Sequence, residues 1–240
     1  FTYIEARNLP RDEQKRAIES ELYTEKIFLT GADPLSIGYS EMKRILGAIH
    51  DYLPYCHRVA SYASIRSISR YSLEELSALH DAGLRLLYIG FETGRDDVLR
   101  SMRKGHTVDE AVEQARKLNE ARLPFYTVIM YGIAGEGESL KNALSTAGMI
   151  NRFKTGKVIT MNLVVFYGTE LDGMVKRGEF TPPGAKERLL EIRTLLESLT
   201  PEDRMVFDTT HPTNIIKIFG TLPEDRQSLL AEVVRHLDKA

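Results

Sequence analysis

A single cysteine, Cys56, stands in the 240 residues. One thiol rules out an internal disulfide framework and any all-cysteine metal site built by this chain alone. Charge of one sign is not in excess either, since 32 basic against 34 acidic residues leave a formal charge of −2. Such a balance gives no sign of a nucleic-acid groove or a polybasic membrane anchor. No run approaches the roughly 18 apolar residues of a membrane span, and no basic-then-apolar leader opens the sequence. Low-complexity stretches and linkers rich in Pro, Gly or Ser are missing as well. An apolar fraction of 42% is enough for a packed core. The expectation is a soluble, cytoplasmic globular protein with neither a nucleic-acid nor a membrane partner. The chain opens on Phe1 rather than Met, within a strand-like phrase, FTYIE.

Short β-rich runs alternate with amphipathic ones. The strand candidates are Lys26–Thr30, Arg58–Ala63, Arg85–Phe91, Phe125–Tyr131 and Val158–Tyr167, mostly apolar on both faces, as in a parallel sheet. Their starts lie about 27 to 40 residues apart, which suits a βα repeat. A first helix is expected near Asp12 to Leu22. Met42, Ile45, Leu46, Ile49 and Leu53 make a stripe with Ser40 placed to cap it. Ser72 with Glu75 and Thr107 with Glu110 spell capping boxes ahead of two further helices. Others follow over about 140–150 and 186–199. A stretch near Met205 to Gly220 has little periodicity and leads to a last helix from about Pro223. This pattern predicts an α/β fold with a parallel sheet, open or barrel-like. Its chemistry belongs at the C-terminal ends of the strands.

At those ends stand Gly31-Ala32-Asp33-Pro34, then Ser64 and Arg66, then Glu92 within Gly90-Phe91-Glu92-Thr93-Gly94. The first is a plain turn or a place where a ligand approaches backbone. Ser64 and Arg66 are a carboxylate grip or a solvated loop. A carboxylate at the mouth of an apolar strand, as at Glu92, needs a partner or a ligand. Arg103 or Lys104 can reach back as a point charge, or simply be solvated. Tyr131 to Glu138 form a glycine-rich loop that admits close backbone contact. It is neither a dinucleotide fingerprint nor a P-loop, and HExxH and GxSxG are absent. Of the six histidines, only His211 lies in a polar, non-periodic stretch, read as a loop stitched by side-chain hydrogen bonds or as a substrate contact. Read from the residues, the chain is an α/β domain with a ligand site at Asp33, Ser64, Glu92 and the Gly132 loop.

In order along the chain, the phrases TGADP, VASYASI, LYIGFETGRDDVLRSMRKGHT, YGIAGEGE, FYGTELDGMVKRGEF and HPTN resemble the radical S-adenosylmethionine (SAM) superfamily. The resemblance implies a partial (β/α) TIM-like barrel over 1–200, missing its first strand, with a helical C-terminal extension over 201–240 packed on it. Gly31, Ala32 and Asp33 match the turn that receives the SAM ammonium, although Ala-Asp stands where the family usually has Gly-Glu. Glu92 matches a residue that binds the ribose or amino-acid part, Lys104 a partner for the carboxylate, and Ser64 a hydroxyl near it. Ile133, Gly135 and Glu136 match the motif flanking adenine, while Asn162 and Val164 fall on the strand whose backbone meets adenine.

The family also needs a CxxxCxxC loop whose thiolates hold a [4Fe–4S] cluster, the site of reductive SAM cleavage to a 5′-deoxyadenosyl radical. This sequence has none, and Cys56 falls before a strand, at the opposite end. The resemblance therefore implies the core of a radical SAM enzyme whose cluster ligands lie upstream, so that the chain alone is inactive, or a relative that has lost the chemistry. The first account is favoured. It brings as partners an electron donor and a small-molecule or protein substrate. A non-catalytic scaffold derived from the barrel is the alternative, and a redox-free enzyme using Glu92 and Lys104 as acid and base is a weaker third.

Overall fold

The computed structural model describes residues 24–239, together with Pro10, Asp12 and Glu13. The strand-like phrase Phe1–Glu5 and nearly all of the first expected helix lie outside the described residues. The strands are β1 (Lys26–Leu29), β2 (Arg58–Ala63), β3 (Leu84–Glu92), β4 (Phe125–Tyr131), β5 (Lys157–Asn162), β6 (Met205–Asp208) and β7 (Phe219–Leu222). They form one sheet in chain order. Every neighbouring pair is parallel except β6 with β7, which is antiparallel. Among the described residues the sheet is open, with β1 and β7 as its edges. The chain thus has the expected α/β architecture, a partial (β/α) barrel.

Chain-order pairing decides where the helices go. Crossovers between parallel neighbours are right-handed, so successive helices land on one face of the sheet. They are α1 (Tyr39–Tyr52), α2 (Ile65–Ile68), α3 (Leu73–Asp81), α4 (Asp96–Ser101), α5 (Val108–Glu120), α6 (Ser139–Ile150), α7 (Glu170–Lys176), α8 (Ala185–Ser198) and α9 (Arg226–Leu237). Val59, Leu87, Ile89, Phe125, Ile129 and Phe207 are buried in the core with Leu76, Leu118, Ile192 and Leu196 of the helices. Each such side chain contributes about 1.5–3 kcal/mol by leaving water. The strand register sends Tyr62, Tyr88, Tyr126 and Lys157 to the other face. There Phe28, Tyr62, Tyr88 and Tyr126 meet edge to face, each ring 4.8 to 5.2 Å from a neighbour. Phe28 and Tyr62 remain 38% and 44% exposed, so this inner face is covered less than the outer one.

Both capping boxes form. Ser72 Oγ accepts from the Glu75 amide at 3.1 Å and Glu75 accepts from the Ser72 amide at 2.9 Å. Thr107 and Glu110 do the same at 3.2 and 2.7 Å. Ser40 does not cap α1, because the cap position falls two residues earlier, on Gly38 at φ +91°. The fifth strand stops at Asn162 rather than Tyr167. The stretch with little periodicity supplies β6 and β7 before the expected last helix, α9. Among the described residues, no helix is long and apolar enough to cross a membrane.

Candidate functional site

The turn after β1 and the end of β2 are tied together by one carboxylate. Asp33 Oδ2 accepts from Ser64 Oγ at 2.6 Å, and Oδ1 accepts from Ser67 Oγ at 2.9 Å and the Ser64 amide at 3.2 Å. Ser64 also accepts from the Ser67 amide at the start of α2. Asp33 and Ser64 therefore come together as anticipated, but mainly satisfied by each other. Gly31 takes φ +124°, and a Cβ there would meet nothing closer than Pro34 at 4.0 Å. Gly31 and Ala32 are exposed, which leaves the backbone of this turn open to approach.

Glu92 ends β3 in a conformation seldom taken by residues with a side chain, φ +66°, where the register with β4 shifts. Its carboxylate folds back over Gly90, so that a Cβ at Gly90 would lie 2.9 Å from Oε1. Lys104 Nζ donates to the same Oε1 at 3.0 Å. Lys104 follows Arg103, itself at φ +52°, and its amide returns to the Leu99 carbonyl at the end of α4. Arg103 faces away, held by Glu170 at 2.6 and 2.7 Å. An ammonium has three donors and a carboxylate about four acceptor positions. The pair retains hydrogen-bonding capacity and is partly exposed, Lys104 at 29% and Glu92 at 17%.

The loop after β4 is held from below. Ile133 is buried, Gly135 packs on Phe180, and the Glu136 amide donates to the Thr181 carbonyl at 2.8 Å. The Glu136 side chain is exposed. Glu138 is the loop carboxylate with an ionic partner, the buried Arg95, which also binds Asp97. Beneath the loop lies Glu191 of α8, 2% exposed. Its Oε2 accepts from the Gly132 amide at 2.9 Å and its Oε1 from Asn142 Nδ2 at 2.7 Å. Thr93, next to Glu92, donates to Asn142 Oδ1. Burial pushes the Glu191 carboxyl up to about 7, against the opposing pull of Asn142 and the Gly132 amide. Sequence reasoning passed over Glu191. Its place beside the apolar stripe of Leu189, Ile192 and Leu195 is a weak signal that names neither Gly132 nor Asn142 as its partners.

Asn162 ends β5, its amide donating to Thr213 Oγ1 and its Nδ2 to the Thr213 carbonyl. Its Oδ1 is buried without a partner. Val164 is exposed on the loop beyond. His211 shares a 2.8 Å contact with Thr213 Oγ1, so the loop is stitched by its side chains. Cys56 and His57 precede β2 and lie at the opposite rim, where the His57 amide reaches the Glu25 carbonyl. Among the described residues, no group of three or more His, Cys, Asp or Glu is placed to hold a metal ion.

A sequence profile of the radical SAM superfamily matches residues 3–147. The chain belongs to the radical SAM superfamily. It is 24% identical over 174 residues to the heme chaperone HemW of Bacillus subtilis, covering 66% of this chain and 45% of that protein. It is 26% identical over 130 residues to the tRNA uridine(34) acetyltransferase of Methanocaldococcus jannaschii, covering 54% of this chain and 24% of that protein. This radical SAM chain thus spans less than half the length of these curated relatives. Its fold matches that of Methanocaldococcus infernus Elp3 with a TM-score of 0.63 at 18% identity, over 99% of this chain and 58% of that one.

The superfamily implies a [4Fe–4S] cluster and SAM. The cluster does not fit the residues present, because one thiol, at the wrong rim, cannot stand in for three. SAM fits better. The partly exposed Glu92–Lys104 pair and the open Gly31 turn present groups complementary to an amino acid.

Proposed function

We propose that this chain is the SAM-binding core of a radical SAM enzyme, with the cluster held by residues outside this sequence. The Glu92–Lys104 pair carries the reading. A lysine at a strand mouth, bound to one carboxylate oxygen and partly open to water, can take the carboxylate of the ligand as a point charge. Glu92, with a second oxygen to offer, accepts from a ribose hydroxyl or the ammonium. Gly31, Ala32 and Asp33 would receive the ammonium through the turn. Ile133, Gly135 and Glu136 would flank the adenine, and Asn162 and Val164 would line its far side. Held here, SAM would be the source of the 5′-deoxyadenosyl radical, with methionine released, once a reduced cluster outside this sequence gave it one electron. The residues of this chain bind and orient the ligand. The same reading carries a cytoplasmic location, an electron donor, and a small-molecule or protein substrate.

A scaffold reading draws on one observation, the saturation of Asp33 by Ser64 and Ser67, which leaves two of the candidate ligands engaged in structure. Calorimetric titration of the chain with SAM separates the two. The enzyme reading expects weak binding that Glu92→Ala or Lys104→Ala removes and Glu110→Ala, at a helix cap, leaves alone. No heat from the unaltered chain, or equal heat from all four proteins, supports the scaffold.

A further inference from the structure

We propose that Glu191 is a positioning residue whose ionised carboxylate locks the Gly132–Glu138 loop, and that its protonation unlocks the loop and weakens ligand binding there. The consequence for ligand rests on the reading above that this loop borders the SAM site; the lock itself does not.

Three elements meet at this carboxylate. Gly132 at the end of β4 and Asn142 on α6 both donate to it, and it hangs from α8. Thr93 extends the chain to the residue beside Glu92 by donating to Asn142. The direction of every bond is set by the acceptor at its centre. An ionised carboxylate is acceptor-only, so both oxygens can receive N–H groups. Adding a proton turns one oxygen into a donor and weakens the claim of either Gly132 or Asn142. Gly132 is the point of leverage, because it stands at φ +73° with Pro183 3.0 Å from where a Cβ would be. A little further along, Gly137 is held separately by Glu187, at 2.7 Å. Losing the bond at Gly132 therefore frees one end of the loop while the other stays fixed.

The groups around Glu191 set where it titrates. On its own helix, Glu187 repels its charge, and Arg188 stands near enough for attraction, with its Nε given to the Pro183 carbonyl. From β4 comes the hydroxyl of Tyr131, which burial first and the Glu191 charge second keep protonated. From β3, Glu92 lines the same small cavity as Glu191, Tyr131 and Asn142, with Lys104 balancing its charge. From α6 come only neutral groups, Asn142 and Ser139. The Ser139 hydroxyl favours the charged form but makes no hydrogen bond of ordinary geometry. Burial outweighs these stabilising contacts and lifts the carboxyl to about 7, so the lock changes state near neutrality.

The direct test follows the Gly132 amide by ¹⁵N–¹H NMR from pH 5 to 9, in the unaltered chain and in Glu191→Gln. The amide is expected to titrate with a midpoint near 7 and to be flat in the variant. A Gly132 amide that does not move, or that titrates in the ordinary carboxylate range, overturns the lock. This arm stands on the unaltered protein even if the variant fails to fold. The second arm is calorimetry with SAM at pH 6 and 8. A group titrating near 7 changes its ionised fraction about tenfold across that range, so affinity should rise about tenfold and stay level in Glu191→Gln. Equal affinity at both pH values with a titrating Gly132 amide overturns control of binding by the lock. Absence of binding at either pH overturns the functional reading instead, and leaves the lock to be decided by the amide.

Discussion

The two rims of the sheet differ in how far their polar groups are engaged by the protein itself. At the N-terminal rim a cavity of about 240 Å³ is lined by Arg116, Asn119, Asn151, Lys154 and neighbours. Its polar groups are engaged by protein. Asn119 clasps the backbone of Lys154 from both sides at 2.9 and 3.0 Å. Asn151 joins the Ser198 carbonyl to the Thr200 amide, Arg116 caps Arg152, and Lys154 pairs with Asp203. At the C-terminal rim the hollow beside Glu92 and Glu191 is far smaller, about 10 Å³. Yet that rim holds a strained glutamate, a partly exposed ion pair, an orphaned amide oxygen and a buried carboxyl lifted to about 7. Unsatisfied polar capacity distinguishes the C-terminal rim, the end that carries the proposed site.

The largest effect that would sharpen this contrast is at Gly94. A Cβ there would lie 2.2 Å from the Ser145 carbonyl oxygen and 2.7 Å from Thr146 Cα, and backbone cannot step aside. Gly94→Ala should cost at least the upper end of the about 1–3 kcal/mol usual for overpacking, read by urea unfolding. An unchanged midpoint would mean that α6 does not approach β3 as closely as described.

Next comes the pH dependence of Glu191. Its folded carboxyl is raised from 4.5 to about 7, so the native state holds the proton more tightly than the unfolded chain. Its contribution to stability is complete below about pH 4.5, falls as pH rises through the window up to 7, and is level above it. Between pH 5 and 8 the unaltered chain should lose on the order of 3 kcal/mol relative to Glu191→Gln. The ionised lock thus tightens the loop while weakening the whole fold. Parallel stability curves for the two proteins would return Glu191 to an ordinary surface-like carboxylate.

The third effect is on binding. Gly90→Ala places a methyl 2.9 Å from Glu92 Oε1, the far end of a flexible side chain. The carboxylate should swing off Lys104 with less than about 1 kcal/mol lost in stability. SAM affinity should fall about as far as in Glu92→Ala. Retained affinity would show that the folded-back pose of Glu92 is irrelevant to the ligand.

What the sequence revealed and concealed follows from range. The boxes at Ser72 and Thr107 were legible because capping is decided within four residues. Ser40 misled because its chemistry suits a cap, while the bend that starts α1 sits at Gly38, whose positive φ no side-chain alphabet announces. The apolar run Leu163 to Tyr167 reads as strand, but β6 pairs only with Lys157 to Ile159 and the ladder ends soon after. Strands of four residues, as in β6 and β7, are too short for alternation to show. Glu92 and Lys104 were legible as strand-end charges, but their 3.0 Å contact with each other was not, because twelve residues separate them. Glu191 was not, because its meaning depends on Gly132 and Asn142, about 50 to 60 residues away.

The smallest expected effect tests the quiet rim. Asn119→Ala removes both bonds to the Lys154 backbone beside the cavity of about 240 Å³. These bonds lie at the surface, where water can replace the lost amide, so the cost should be about 1 kcal/mol rather than the penalty of a buried orphan. Thermal unfolding should register that loss. SAM titration should not change, because the proposed site lies at the other ends of β4 and β5. The two readouts then move in opposite ways at the two rims: stability without binding for Asn119→Ala, binding with little stability for Gly90→Ala. A loss of SAM affinity in Asn119→Ala as large as in Glu92→Ala would break the contrast, since the larger hollow would then be coupled to the ligand despite having its polar groups engaged.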